Sequence, residues 1–265
     1  MRRCYASGMA ARAPYAAITP YYREDRSMLE RCIASVQAQT LPVDHILIAD
    51  GHPQDWIDGA SVRHIRLDRS HSNFGNTPRG VGAMLVIGGD YDAVTMLDAD
   101  NFLEPNHFEH CVACATPKSG PAYDVVAARR RFVRLDGTAM PVRDEPLTVH
   151  ADTSCFFILK SAFYTLPVWG TMPRPVSPIC DRIFYQHVKQ QVRLQNIRWV
   201  QGDEITVNYL CTWQSMYLAI GEVPPPFAKP NVDAMAIRRW WNALSATELN
   251  RLSRMTGFKL ERLFR

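Results

Sequence analysis

Val94-Thr95-Met96-Leu97-Asp98-Ala99-Asp100, near the middle of the chain, is an apolar run that ends in two carboxylates. It has the length and composition of a buried strand, which puts Asp98 and Asp100 where the strand stops, at the carboxyl edge of a sheet. Two acids one residue apart on an extended chain point the same way, so both can reach one hard cation. A cation held by few protein oxygens is the usual partner of a diphosphate. The stretch therefore points to chemistry on a nucleotide-activated substrate. A strand closing in a solvated Asp-Ala-Asp-Asn turn explains the same residues without any ligand.

The neighbouring segments weigh between the two readings. Residues 16–20 form a short apolar run that reads as the first strand. Ser27 and Glu30 have the spacing of a capping box, and Leu29, Cys32, Ile33 and Val36 follow at helical spacing until Pro42 forbids continuation. Residues 45–50 (HILIAD) and 62–67 read as two further strands, and a helix is predicted over 79–87, ending at Gly88-Gly89. Strands alternating with helices in this way specify βαβ units and an α/β fold with a mostly parallel sheet. In such sheets ligands bind beyond the carboxyl ends of the strands. The Thr19-Pro20-Tyr21 segment, Asp50 and Asp98 all fall at such ends.

Beyond Pro105 the spacing predicts a helix over 107–115, a strand over 125–133, a turn at Asp136-Gly137, a strand over 154–159 and a helix over 179–192. Residues 198–200 and 205–210 suggest a hairpin. Pro224-Pro225-Pro226 is a stiff break before a helical tail, in which Leu244, Ser245, Glu248 and Leu249 form a capping box with a hydrophobic staple and Gly257 is the C′ residue.

The bulk properties exclude several classes. With 265 residues, 47% apolar and 21% charged, the chain can bury a large core. A formal net charge of +4 is too mild to imply nucleic acid. Seven cysteines, an odd number, read as reduced thiols in a cytoplasmic protein. Residues 1–14 lack the continuous apolar segment of a signal peptide, and no stretch reaches the roughly 18–20 apolar residues that span a bilayer.

In this order the segments AAITPYYRED, LERCIASVQAQTLPVDHILIADG, SNFGNTPRGVGA and AVTMLDADN resemble the family-two glycosyltransferases of the GT-A fold, over residues 14–215. The resemblance implies a Rossmann-like donor half at 1–101 and an acceptor half at 102–219; the triple proline sets off a C-terminal helical extension at 220–265. It implies transfer of a sugar from a nucleoside-diphosphate donor, a UDP-sugar in many members, to a saccharide, lipid-linked or protein hydroxyl. Thr19, Pro20 and Tyr21 match the first nucleotide-contacting segment, Asp50 the acid that bonds the base, and Arg79 the arginine near the diphosphate. Asp98-Ala99-Asp100 matches the metal-binding Asp-x-Asp motif, with Mn²⁺ or Mg²⁺ as the cation. ICDRIF matches the segment of the catalytic base, which falls on Asp181, and the family mechanism inverts the anomeric centre.

The chemistry is consistent with these assignments. Charge building on a departing diphosphate needs a cation, and an acceptor hydroxyl needs a base within hydrogen-bond reach. Asp181 also reads as the N-cap of the helix that follows it. Three segments depart from the family pattern: Cys180 replaces an acid before the base, Tyr209-Leu210-Cys211-Thr212-Trp213 lacks the histidine that often completes the metal site, and Asp50-Gly51-His52-Pro53-Gln54-Asp55 stands where the family has an Asp-Gly-Ser-x-Asp turn. Two other function classes remain. A sugar-phosphate nucleotidyltransferase would open with a glycine-rich loop where this chain has Pro20-Tyr21-Tyr22-Arg23-Glu24-Asp25, and an inactive relative would not need acids at 50, 98, 100 and 181.

Three further features are weighed. Gln195-Asn196-Ile197-Arg198-Trp199 matches a string of processive synthases but lies too soon after Asp181, so Trp199 reads as core. His107, His110, Cys111 and Cys114 are metal-like ligand types on one helix, with no second ligand cluster apparent in the sequence; they read as half-buried side chains. From residue 231 onward seven Lys or Arg stand against three Asp or Glu, with Trp240, Trp241 and Phe258 interleaved. Such a segment suits peripheral contact with the inner face of a membrane, a dimer contact, or packing back onto the body.

Overall fold

The computed structural model describes residues 13–259 and 263. In chain order its regular elements are β1 (Tyr15–Tyr21), α1 (Arg26–Gln37), β2 (Val43–Ala49), β3 (Arg63–Arg66), α2 (Asn76–Ile87), β4 (Ala93–Met96), β5 (Phe102–Leu103) and α3 (His107–Ala115). They continue with β6 (Val125–Val133), β7 (Phe156–Leu159), α4 (Val168–Thr171), α5 (Cys180–Arg193), β8 (Trp199–Leu210), α6 (Gln214–Ala219), α7 (Ala234–Asn242) and α8 (Ala246–Thr256).

One eight-stranded sheet runs in the order β3-β2-β1-β4-β7-β6-β8-β5. The strands of the first half pair in parallel, β3 with β2, β2 with β1 and β1 with β4. This is the expected βαβ arrangement, because helical crossovers join parallel neighbours. Strands β4 and β6 both pair antiparallel with β7, whereas β6 and β8 are parallel. Ala16, Ala17, Ile18, Ile46, Leu47, Ile48, Val94 and Met96 are fully buried, as strands covered by helices on both faces require. Helix α2 lies close on β1 because residue 82 is glycine: a Cβ there would stand 2.5 Å from Ile18 Cγ2.

Several local expectations are corrected. The hairpin expected across 198–210 is one long strand, β8, whose Gly202-Asp203 stretch bulges instead of turning. The Ser27/Glu30 capping box does not form: Asp25 is the N-cap residue and Glu30 pairs with Arg26 at 2.7 Å. Helix α2 starts three residues earlier than predicted, after Gly75 in the left-handed region. Strand β7 starts at Phe156, because Thr153–Cys155 is a 3-10 turn. Strand β4 ends at Met96, so Asp98 and Asp100 sit in a turn and not on an extended chain.

The tail has its predicted Ser245–Glu248 capping box and Gly257 at φ 76°. Its apolar faces turn inward: Ile237, Trp241, Leu252 and Phe258 belong to the main core cluster, and His187 Nδ1 lies 2.6 Å from the Thr256 carbonyl oxygen. Trp199 packs on Phe156 and Tyr185, as a core residue does. No helix among the described residues is long and apolar enough to cross a membrane.

Candidate active site

Beyond the carboxyl ends of β1, β2 and β4 opens a cavity of about 420 Å³. Its walls carry Pro20, Tyr21, Asp50, Arg79, Asp98, Ala99 and Asp100, all expected there from sequence. Thr19 is fully buried instead, its hydroxyl oxygen 2.8 Å from His45 Nε2, so it supports the wall without lining it.

The acid-bearing turn is held from three sides. The Asn101 amide donates to the Asp98 carbonyl at 2.9 Å, and Ser154 Oγ accepts from both the Asp98 amide and Asn101 Nδ2. The Leu210 amide donates to Asn101 Oδ1. Buried Asn101 thus ties the turn to the end of β8 and to the segment before β7, and the two carboxylates meet the cavity on a rigid base.

Arg79 is buried in the first turns of α2. It donates to the Phe74 carbonyl at 2.6 Å and pairs with Asp98, and its guanidinium lies 5.0 Å from the centroid of the Trp169 ring. Gly80 lets α4, which carries Trp169, come this close, since a Cβ there would stand 2.7 Å from Gly170 Cα. The loop before α2 is strained: Ser72 and Phe74 have φ of 50° and 55°, unusual for residues with side chains. Its Phe74 side chain is exposed at the cavity rim.

Asp100 differs from Asp98 in having no ion-pair partner among the described residues, though Arg31 and Lys229 feel its charge. Among the described residues it makes no ion pair or side-chain hydrogen bond, and burial followed by the charges of Asp98 and Glu24 pushes its carboxyl up to about 7. Lys229, on the far wall, opposes that rise. Asp50 is buried and accepts from the His71 amide at 3.0 Å, with His71 Nδ1 at 2.7 Å from the same oxygen.

Asp181 opens onto a second cavity, of about 390 Å³, with Arg130, His150, Asp152, Tyr209, Trp213, Asn231 and Val232. It occupies the first turn of α5, but Ile179 is the N-cap residue and no capping bond is made. One Asp181 oxygen accepts from the Arg182 amide at 2.7 Å, and the other is 2.9 Å from His150 Nε2. Burial alone would raise this carboxyl. His150 beside it, with the Arg182 amide and guanidinium, outweighs this and holds the carboxyl below its usual range. Asp152 lies 3.0 Å from Arg130 and between the two cavities in its electrostatics: burial raises it, Arg130 opposes, and both Asp98 and Asp181 add to the rise. Arg130 also takes Asp144 in a two-point grip and lies over the Phe132 and Tyr209 rings.

Sequence reasoning missed Glu24, Lys229, Arg130, Asp152 and the partnerships of His71 and His150. Their chain separations are too large for a local motif: His71 is 21 residues from Asp50. Lys229 and Val232 come from the segment after the triple proline. That segment is pinned to the end of β8, the Lys229 amide donating to the Thr212 carbonyl and the Gln214 amide to the Lys229 carbonyl.

Comparison with known proteins agrees with this arrangement. The sequence profile of "Glycosyl transferase family 2" matches residues 16–168. No curated protein matches the chain. Among solved structures, S. aureus TarS 1–349 in complex with UDP superposes with a TM-score of 0.56 at 12% identity, covering 94% of this chain and 74% of that one. The complex of the same TarS fragment with UDP-GlcNAc gives 0.56 at 11% identity over the same shares. A longer TarS structure gives 0.55 at 12% identity; the match covers 90% of this chain and 45% of the longer one. At these identities the likeness is one of fold.

Proposed function

Because the chain belongs to glycosyl transferase family 2, we propose that the first cavity receives a nucleoside-diphosphate sugar and the second presents a hydroxyl acceptor to it. One observation carries this reading: Asp50, Arg79, Asp98, Asp100 and Lys229 converge on a single cavity at the carboxyl ends of parallel strands. A nucleotide base, a diphosphate and a counter-cation each need one of these groups. The UDP and UDP-GlcNAc held by the TarS neighbours favour uridine. Asp50 has one oxygen taken by His71 and the other left to accept a base N–H.

The donor set suits a hard divalent cation. Asp98 and Asp100 offer carboxylate oxygens, and Asp100 is a half-buried carboxyl without an ion-pair partner among the described residues. These two residues would hold Mn²⁺ or Mg²⁺ together with phosphate oxygens. When bound, such a cation neutralises the charge that builds on the departing diphosphate. Arg79 stands in the same wall and adds a charge-assisted bond to phosphate.

Asp181 takes the role of general base. His150 and Arg182 keep it ionised at neutral pH and fix its orientation, and each of its oxygens retains a lone pair. It accepts the proton of the acceptor hydroxyl as that oxygen bonds to the anomeric carbon, while the bond from that carbon to the diphosphate breaks. Attack from the face opposite the leaving group inverts the centre. Arg130, Asp152, Tyr209 and Trp213 give the second cavity donors, acceptors and aromatic faces, which suit a sugar hydroxyl.

Titration calorimetry with UDP, GDP and ADP, with and without Mn²⁺, tests the donor assignment. Metal-dependent binding of UDP above the others is expected, raising stability by about 2.7 kcal/mol at a hundredfold excess over Kd. Failure of all three nucleotides to bind would leave an inactive relative.

A further inference from the structure

The outer face of α3 carries a cluster that the transfer reaction does not use. Of the four metal-like residues on this helix, His107 and Cys111 face inward and are fully buried, with His107 Nδ1 2.8 Å from Thr206 Oγ1. His110 and Cys114, one turn apart, face β8 instead. His110 Nε2 is 3.5 Å from Cys114 Sγ and 3.5 Å from Asp203 Oδ1, and the three ligand atoms lie within 4.8 Å of one another. From these distances we infer that His110, Cys114 and Asp203 form a binding site for Zn²⁺.

The two distances from His110 Nε2 are those of a tetrahedral zinc. Bonds of about 2.0–2.1 Å to nitrogen, about 2.3 Å to sulfur and about 2.0–2.2 Å to oxygen place the nitrogen about 3.5 Å from the sulfur and about 3.4 Å from the oxygen. A mixed imidazole, thiolate and carboxylate set favours zinc over the hard cations suited to Asp98 and Asp100. Asp203 is 89% exposed, so solvent reaches the cluster.

Two features of the backbone serve this cluster. Between the pairs Ala127–Gln201 and Arg129–Ile205, β6 advances two residues while β8 advances four. The excess chain of β8 bulges there, and it is the part that carries Asp203 and Glu204 towards α3. Bulges of this kind re-aim side chains. Residue 202 is glycine, and a Cβ would stand 3.0 Å from His110 Nε2, so any larger residue would push the ring off the site.

The surroundings of His110 complete the arrangement. Its other nitrogen, Nδ1, lies 3.7 Å from Glu204 Oε1, and Asn106 Nδ2 donates to the second Glu204 oxygen at 2.9 Å. A carboxylate on the distal nitrogen is the usual partner of a zinc-bound histidine, because it fixes the tautomer and the ring plane. Zinc here would clip α3 to β8, two elements that meet at the edge of the sheet.

Cobalt(II) is the probe, titrated into the full chain after chelation and dialysis. A thiolate-to-cobalt charge-transfer band is expected to saturate at one equivalent and to vanish on adding Zn²⁺. It should be lost in Cys114→Ser and His110→Gln, and persist in Asp100→Asn, which separates this site from the donor cavity. Glu204→Gln, on a half-exposed side chain, should keep the fold and weaken cobalt binding about tenfold. Absence of the band at stoichiometric cobalt, or its survival in Cys114→Ser, would overturn the assignment.

Discussion

Asp100→Asn should stabilise the protein while abolishing transfer. The carboxyl titrates near 3.8 in an unfolded chain and is pushed up to about 7 in the folded one. At about 1.4 kcal/mol per pH unit, holding it ionised at pH 8 costs at most about 4 kcal/mol of folding stability. The side chain is partly open to the cavity, so about half of that, about 2 kcal/mol, is the realistic gain on replacing it with a neutral amide. For a chain of this size that raises Tm by about 4–8 °C. The sign of the pH dependence follows from the raised value. Stability linked to Asp100 is full below about pH 4 and is lost as pH rises towards 7. The advantage of the variant should therefore be largest at pH 8 and fall to about a quarter of that at pH 4.5. Scanning calorimetry of the two proteins at both pH values, without divalent cations, measures it. Adding Mn²⁺ at pH 8 should raise the Tm of the parent and leave the variant unmoved. A variant that melts below its parent at pH 8, or whose gain does not change with pH, would refute the reasoning about Asp100.

Asp181→Asn should lose sugar transfer by several orders of magnitude yet bind UDP as before in calorimetry; loss of both would make Asp181 a structural residue of α5. Asp50→Ala removes a charge-assisted acceptor worth about 1.5–3 kcal/mol, so UDP should bind about 10–100-fold more weakly, with Tm lowered as well because the His71 amide loses its acceptor, and equal affinity would remove Asp50 from base recognition. Gly82→Val forces a methyl-bearing carbon into Ile18, and denaturant titration should show a loss of about 1–3 kcal/mol, whereas an unchanged midpoint would mean α2 can lift from β1 freely.

Much of this architecture was legible because its signals are local. The apolar runs of β1, β2 and β4 have no other explanation than strands buried on two faces, and the acids at their ends mark the cavity. The helix over 107–115 and the strand over 125–133 fall on α3 and β6 without a residue of difference. Two of the misreadings have a common cause, in that a local signal was overruled by distant contacts. Gly202-Asp203 has the composition of a turn, but β6 pairs with chain on both sides of it and turns it into a bulge. Asp98 and Asp100 were placed on extended chain, yet Asn101, Ser154 and Leu210 fold that stretch over. In the same way no spacing rule links His150 to Asp181, or Asp203 to His110, because β8 and the loop before β7 bring them together from afar.

Lys229 has a consequence for how the protein is made. The acids of the first cavity, Asp50, Asp98 and Asp100, all precede Lys229 along the chain and are synthesised before it. The cation that faces them and the Asn231-Val232 wall of the neighbouring cavity emerge more than a hundred residues after Asp100. A growing chain can assemble its β3-β2-β1-β4 layer long before that. Until the segment beyond the triple proline has left the ribosome and hydrogen-bonded to Thr212 and Gln214, it carries an open acidic cleft and no finished pocket. Nascent chains thus fold first and become competent afterwards, as two separate events in time.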